Sequence, residues 1–418
     1  MKIKSLTIAV AVVVLACTAC ENDAMKAQKG YIGPSDLKVE NGIMTPEALL
    51  SLGRLTDPQL SPDGKTILYG VSYTSIEENR SVRNLFTIPV EGGEPTQLSM
   101  DGKSLASARW ASGGDAIFFL QGRQLYKAVY KGGKLGKRTQ LTDIEGGIDD
   151  YLLSPDQQQL IYVKGVHSHV EVPSDTDPAL DKASAYATED LMYRHWDHWR
   201  TELAHSFVAT LAGGMVKEGV DILGEDCQWE LPNGPFSDMA DLSWSPDGRY
   251  IAFACKPFTG KQYAFSTNTC IFLYCPLTGE ISQVTFEGGY DTHPVWSPDG
   301  HSLAWLSMAR DGYEADQVRL MLSDVQIPDQ ASDGQGANPA VENIRCISKG
   351  FKYNVDSPVW ADDSQSLYFS ALAEGLQGIF NVVPGNEPAR LTSDNLWFDF
   401  GSPFGVLQDG TLLTTFQS

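Results

Sequence analysis

The chain has 418 residues, 42% of them hydrophobic and 20% charged, which is ample for a large buried core. Its 31 basic and 53 acidic residues give a net charge of -22. A surface this acidic argues against nucleic acid and anionic membrane as partners, because like charges repel.

The N-terminus reads as a targeting segment over residues 1–20. Lys2 and Lys4 form a basic start, and Leu6 to Ala16 is an apolar stretch too short for a stable membrane span. It runs into Val14-Leu15-Ala16-Cys17 and Thr18-Ala19-Cys20, which resembles a bacterial lipoprotein signal. Either Cys17 or Cys20 is then the lipidated residue, and a plain secretory signal is the alternative. The expected location is the bacterial cell envelope, as a periplasmic or outer-membrane-anchored lipoprotein that meets the membrane only through its lipid. Residues 21–43 are polar and read as a flexible tether.

From residue 44 to 418 one phrase recurs seven times. It stands as Leu60-Ser61-Pro62-Asp63-Gly64, Trp110-Ala111-Ser112-Gly113-Gly114, Leu153-Ser154-Pro155-Asp156-Gln157 and Trp244-Ser245-Pro246-Asp247-Gly248. It returns as Trp296-Ser297-Pro298-Asp299-Gly300, Trp360-Ala361-Asp362-Asp363-Ser364 and Val406-Leu407-Gln408-Asp409-Gly410. Ser-Pro-Asp-Gly suits a type I turn: proline presets φ, aspartate fits the third position and glycine the fourth. Strand-like runs follow each copy, such as Ile67-Leu68-Tyr69 and Ile251-Ala252-Phe253, so each copy predicts a β-hairpin. Tryptophan precedes the turn in four copies, which predicts a ring packed between neighbouring repeats.

A second phrase runs out of phase: Thr96-Gln97-Leu98-Ser99, Thr139-Gln140-Leu141-Thr142, Ser282-Gln283-Val284-Thr285 and Ala389-Arg390-Leu391-Thr392, with Ile347-Ser348 as a weaker copy. Two hairpins per repeat make four short strands. The expected fold is therefore all-β: a seven-bladed β-propeller whose last blade is incomplete, with a helix-bearing insertion. An incomplete blade would expose a strand edge and make the isolated chain aggregation-prone.

The insertion is placed at residues 164–205. Pro173 to Asp181 reads as a polar loop, and Ser184 to Arg200 as a helix with Met192, Trp196 and Trp199 on one face. Functional residues on a rigid scaffold concentrate in such connections. Glu189, Asp190 and Glu202 could hold a substrate ammonium group, or be ordinary solvated charges. Trp196 and Trp199 could wall a peptide pocket, or pack on the propeller rim. His167, His169, His195, His198 and His205 cluster here, but their spacing lacks the glutamate of a zinc hydrolase helix. A metal-binding propeller is therefore the weaker alternative, and neither a metal nor another cofactor is expected.

Five cysteines lie beyond the targeting segment, and Cys255 and Cys270 flank one predicted hairpin where they could meet. No G-x-S-x-G elbow, P-loop, G-x-G-x-x-G or H-E-x-x-H occurs, so no catalytic residue is assigned.

The segment Met44-Thr45-Pro46-Glu47-Ala48-Leu49-Leu50, followed by Arg54 to Gly64, resembles the start of the propeller in prolyl-oligopeptidase-family (S9) serine peptidases. Leu191-Met192-Tyr193-Arg194-His195-Trp196-Asp197-His198-Trp199, then His205-Ser206-Phe207-Val208, is similar to the insertion of the acylaminoacyl-peptidase and dipeptidyl-peptidase 5 branch. The resemblance implies a propeller that caps a C-terminal α/β-hydrolase domain, admits short peptides and helps hold the substrate N-terminus. The candidates for substrate contact are Glu189, Asp190, Tyr193, Trp196, Trp199 and Glu202. The expected function is the substrate-gating and positioning portion of an exported peptidase, of dipeptidyl or acylaminoacyl type and not catalytic on its own. The partners are then short peptides and the hydrolase domain of the complete protein. The alternative is a TolB-like propeller lipoprotein that binds protein partners without catalysis.

Overall fold

The computed structural model describes residues 29–39, 41–168, 173–184, 200–212, 214–286, 288–328, 339–393 and 399–417. A short helix α1 (Pro46–Ser51) opens the domain, its first turn capped by Thr45, whose Oγ1 accepts from Ala48 N at 3.2 Å. Strands follow in groups of four. The first sheet is β1 (Arg54–Leu60), β2 (Thr66–Ser75), β3 (Arg80–Pro89) and β4 (Thr96–Gln97). The second is β5 (Ala106–Trp110), β6 (Ala116–Gln121), β7 (Gln124–Lys131) and β8 (Lys134–Gln140). The third is β9 (Asp150–Leu153), β10 (Gln159–His167), β11 (Glu202–Thr210) and β12 (Val220–Asp221), with α2 (Pro173–Thr176) between β10 and β11. The fourth is β13 (Leu242–Trp244), β14 (Ile251–Cys255), β15 (Cys270–Cys275) and β16 (Glu280–Gln283), with α3 (Gly260–Phe265) between β14 and β15. The fifth is β17 (Tyr290–Trp296), β18 (Ser302–Met308), β19 (Arg319–Gln326) and β20 (Ala340–Cys346). The sixth is β21 (Asp356–Trp360), β22 (Leu367–Ala373), β23 (Leu376–Val382) and β24 (Ala389–Arg390). Finally β25 (Asp399–Val406) and β26 (Leu412–Gln417) form a two-stranded sheet.

Each of the six sheets keeps its strands in sequence order, and the pairings among β1–β8 and among β10–β24 within them are antiparallel. This is the blade of a β-propeller. The seventh repeat contributes two strands, so six blades are complete among the described residues. The chain divides into two compact units. One is Met1–Asp150 with Leu211–Glu218 and Phe404–Leu413; the other is Tyr151–Thr210 with Gly219–Pro403 and Thr414–Ser418.

The recurring turn forms as its residues require. Gly64 N donates to Ser61 O at 2.8 Å, and Ser61 Oγ donates to Asp63 Oδ1 at 2.6 Å. Asp63 and Asp156 are held below the usual carboxylate range, first by the serine hydroxyl two residues before each. The fifth residue is left-handed: φ is 70° at Gly64 and Gly248, yet 57° at Gln157 and 59° at Ser364. A side chain there strains the backbone. Gln157→Gly should stabilise the chain by about 0.5–1 kcal/mol, the relieved strain exceeding glycine's entropy cost, whereas Ser364→Gly should gain less because it also removes the hydroxyl that accepts from Asp299 N at 3.1 Å. Urea midpoints check this.

The pre-turn tryptophans do pack between repeats. Trp110 Nε1 donates to Gln59 O at 3.4 Å and Trp360 Nε1 to Val295 O at 3.2 Å, each acceptor lying on the first strand of the preceding sheet. Trp244 joins a core shared by the third and fourth sheets with Ile161, Val208, Ile251 and Phe253.

The second phrase has an equally local cause. Its final hydroxyl completes the ladder beyond the short fourth strand: Leu85 N donates to Ser99 Oγ (3.0 Å), Leu125 N to Thr142 Oγ1 (2.8 Å), Ile271 N to Thr285 Oγ1 (2.9 Å) and Ile379 N to Thr392 Oγ1 (3.1 Å). The weaker copy does the same, with Leu320 N donating to Ser348 Oγ at 2.9 Å. Thr142→Val should therefore cost about 1–3 kcal/mol by orphaning a buried N–H, measured as a fall in unfolding free energy.

Three expectations need correction. The insertion is shorter than residues 164–205, because β10 and β11 pair without a break from Gln159↔Thr210 to His167↔Glu202. The loop at Pro173 to Asp181 contains α2 and a 3₁₀ turn at Pro178–Leu180, and neither Ser184 nor Arg200 is helical; residues 185–199 of the expected helix lie outside the described residues. Within the expected tether, Gly30 to Ile32 are held against the first sheet: Ile32 is buried, its carbonyl accepts from Asn84 Nδ2 at 2.9 Å, and Gly30 O accepts from Arg80 Nη2 at 2.6 Å.

Candidate functional site

A cavity of about 560 Å³ opens in the second unit, where β13 and β17 begin, β14 ends and β15 begins. Its wall includes Asp238, Asp241, Lys256, Tyr263, Tyr290 and Glu314. The loop Asn233-Gly234-Pro235 closes one side; Leu231–Pro232 and Gly234–Pro235 are cis. Asn233 holds the buried Asp241 by donating to Oδ2 from N (3.1 Å) and Nδ2 (2.9 Å). Burial nevertheless pushes the Asp241 carboxyl up, outweighing those bonds. Lys256 places its ammonium 4.1 Å from the Tyr263 ring centroid, and burial pushes its basicity down.

Behind Tyr263 lies a buried ion pair. Arg200 Nη2 meets Glu230 Oε1, and Tyr263 Oη donates to Glu230 Oε2 at 2.6 Å. Both charged side chains are almost fully enclosed, at 7% and 3% exposure. Arg200 is also the root of the insertion. Its carbonyl accepts from Ser168 Oγ at 2.6 Å, and Ser168 N donates to Thr201 O at 2.9 Å. The insertion is thus clamped at its base and tied through Glu230 to a wall of the cavity.

A second cavity of about 360 Å³ shares Tyr290, Thr292, His293 and Met308 with the first. His293 sits at a β-bulge in β17 with φ of 53°, and a bulge re-aims a side chain. The same bulge occurs in β1, β5 and β21, at Asp57, Ser107 and Ser357. Proline follows three of the four, at Pro58, Pro294 and Pro358, where a missing donor is tolerated.

The arrangement offers carboxylates, one ammonium and aromatic rings in a partly enclosed space, which suits a small zwitterionic or amide-rich ligand. Of the residues expected to contact substrate, Glu189, Asp190, Tyr193, Trp196 and Trp199 lie outside the described residues, as do Cys17 and Cys20. Glu202 is exposed at the start of β11 and does not line the cavity. Its carboxylate lies over Gly165, where a Cβ would meet Oε2 at 2.7 Å. His169, His195 and His198 are also outside the described residues. His167 is exposed, whereas His205 is buried with Nδ1 2.7 Å from Asp221 Oδ2. Sequence reasoning missed Arg200, Glu230, Tyr263, Asp241, Lys256 and His293. The run Leu231-Pro232-Asn233-Gly234-Pro235 was the available signal of a special turn.

No protein-family model matches the sequence. The chain is 37% identical over 344 residues to dipeptidyl-peptidase 5 of Porphyromonas gingivalis, covering 81% of this chain and 48% of that protein. It is 40% identical over 294 residues to dipeptidyl-peptidase 5 of Porphyromonas endodontalis, covering 69% and 42%. The chain therefore spans about half the length of the curated relatives it matches. Among solved structures, acylaminoacyl peptidase of Pyrococcus horikoshii superposes with a TM-score of 0.58 at 14% identity, over 88% of this chain and 50% of that one. That likeness concerns the fold alone. Repeats, blades and relatives agree: this chain is a β-propeller whose sequence homologues are dipeptidyl-peptidase 5 proteins.

Proposed function

We propose that this chain is the substrate-gating and positioning portion of an exported serine peptidase acting on short peptides. Release of dipeptides is the favoured activity and removal of acylated residues the other candidate. The observation that carries the reading is the 37% and 40% identity to dipeptidyl-peptidase 5. The cavity at the root of the insertion supports it. Peptide ends are charged and peptide bonds are polar, and the wall supplies Lys256 as a donor and Asp238, Asp241 and Glu314 as acceptors. Glu189, Asp190, Tyr193, Trp196, Trp199 and Glu202 are assigned to peptide contact.

In this reading β25 and β26 are the first half of a seventh blade, completed in the longer protein, and a hydrolase domain supplies the nucleophile. The envelope anchor is assigned to Cys17 or Cys20. The coding sequence after Ser418 tests the assignment. It should encode a domain with a G-x-S-x-G elbow, and its full-length product should release dipeptides from peptides with free N-termini. A reading frame without a nucleophile motif, or a full-length product without peptidase activity, sinks the proposal.

A further inference from the structure

We propose that Cys255 and Cys270 form a redox-sensitive pair that closes to a cross-strand disulfide beside the cavity. The two thiols are free. They face each other in register across β14 and β15, at the end of the ladder. The direction of the neighbouring backbone fixes the kind of pair. Ile271 N donates to Thr285 Oγ1 and Ile271 O accepts from Val284 N, so Ile271 turns both groups away from β14. Cys270 then turns its own toward β14, which makes Cys255–Cys270 a hydrogen-bonded pair. Such pairs have Cα atoms about 5.5 Å apart, within the roughly 4.4–6.8 Å that a disulfide spans, but their Cβ atoms stand near the upper end of about 4.5–5.5 Å, so closure draws the strands together and leaves a strained, readily reduced bond.

The side chains share one face. Two residues along, Phe253 and Phe272 are the next pair of that kind, and their rings stack at 5.3 Å. Cys255 and Cys270 belong to the same buried cluster, at 0% and 2% exposure, whereas Cys275 belongs to the cluster on the other face. In the reduced chain Cys255 Sγ donates to Glu230 O at 3.2 Å, and Asn268 Nδ2 donates to Cys270 Sγ at 3.6 Å.

Lys256 follows Cys255 and Thr269 precedes Cys270, and both line the cavity. A bond here pins the two strands where they meet the wall. The chemistry is a thiol–disulfide exchange. One Sγ–Sγ bond forms, two S–H protons are released, and two electrons pass to the disulfide of oxidised glutathione, which is cleaved to two thiols. Burial raises both thiols above their ordinary range, so thiolate is scarce and exchange waits on local opening of the strand ends.

The test uses the whole chain, incubated with oxidised glutathione at alkaline pH until no further change, then denatured in an alkylating reagent and cut with chymotrypsin. Cleavage after Phe253, Phe258, Phe265 and Phe272 places Cys255 in Ala254–Phe258 and Cys270 in Ser266–Phe272, apart from Cys275. The expected result is one joined species, lighter than its two peptides by two hydrogens and separated by reduction, with two alkylated thiols fewer than the reduced control. Cys227 lies within electrostatic reach of Cys255 and is the competing partner. Recovery of Cys255 linked to Cys227, of either cysteine still carrying glutathione, or of both alkylated as in the control overturns the proposal. The readout is independent of peptidase activity.

Discussion

Replacing Glu230 by alanine should cost about 3–5 kcal/mol of stability, because it leaves the buried Arg200 charge unpaired. Arg200 starts from a poor position. Among the described residues its Nη1 has no hydrogen-bond partner, and burial pushes its guanidinium below the usual range. With Glu230 gone, Tyr263 Oη also loses its acceptor. The double variant Arg200→Met, Glu230→Gln should recover much of that loss. It removes both charges, and the glutamine oxygen still accepts from Tyr263. Equilibrium urea unfolding of the three proteins checks the order. A single Glu230→Ala variant as stable as the parent would show that the pair carries no structural weight.

Trp360→Ala should cost about 3–5 kcal/mol, the range for removing a large buried aromatic. Trp360 is 7% exposed and packs with Leu367, Phe369 and Phe380 of its own sheet and Ala304 and Leu306 of the preceding one. Phenylalanine substitutions separate ring burial from hydrogen bonding. Trp360→Phe loses the bond to Val295 O, whereas the Trp244 Nε1 has no partner among the described residues. Trp360→Phe should therefore cost about 1 kcal/mol more than Trp244→Phe. Equal costs would mean that the inter-sheet hydrogen bond contributes nothing.

The repeat was legible because its causes are local. Proline, aspartate and glycine act within one turn, and the hydroxyls of Ser99, Thr142, Thr285, Ser348 and Thr392 act across one strand pair. The blades followed from those short-range rules. The candidate site did not. Arg200 and Glu230 stand 30 residues apart in sequence, and Tyr263 lies 33 beyond Glu230. Nothing in any one segment announces their meeting. The ends of the insertion were misplaced for a related reason. Lys164, Gly165 and Glu202 are weak strand formers, and their pairing is decided by the long β10–β11 ladder. Cys255 and Cys270 are intermediate: the hairpin placed them near each other, but only register sets them directly opposite.

The most direct measurement is kcat/KM for dipeptide release by the full-length protein with and without Lys256→Met. The substitution keeps the side chain's length and removes the ammonium from the cavity wall. If the cavity positions peptides, kcat/KM should fall about tenfold, mainly through KM, as expected for one lost charge-assisted hydrogen bond of about 1.5 kcal/mol. The unfolding midpoint should stay the same. An unchanged kcat/KM in a variant that is as stable as the parent would contradict the assignment of this cavity to substrate.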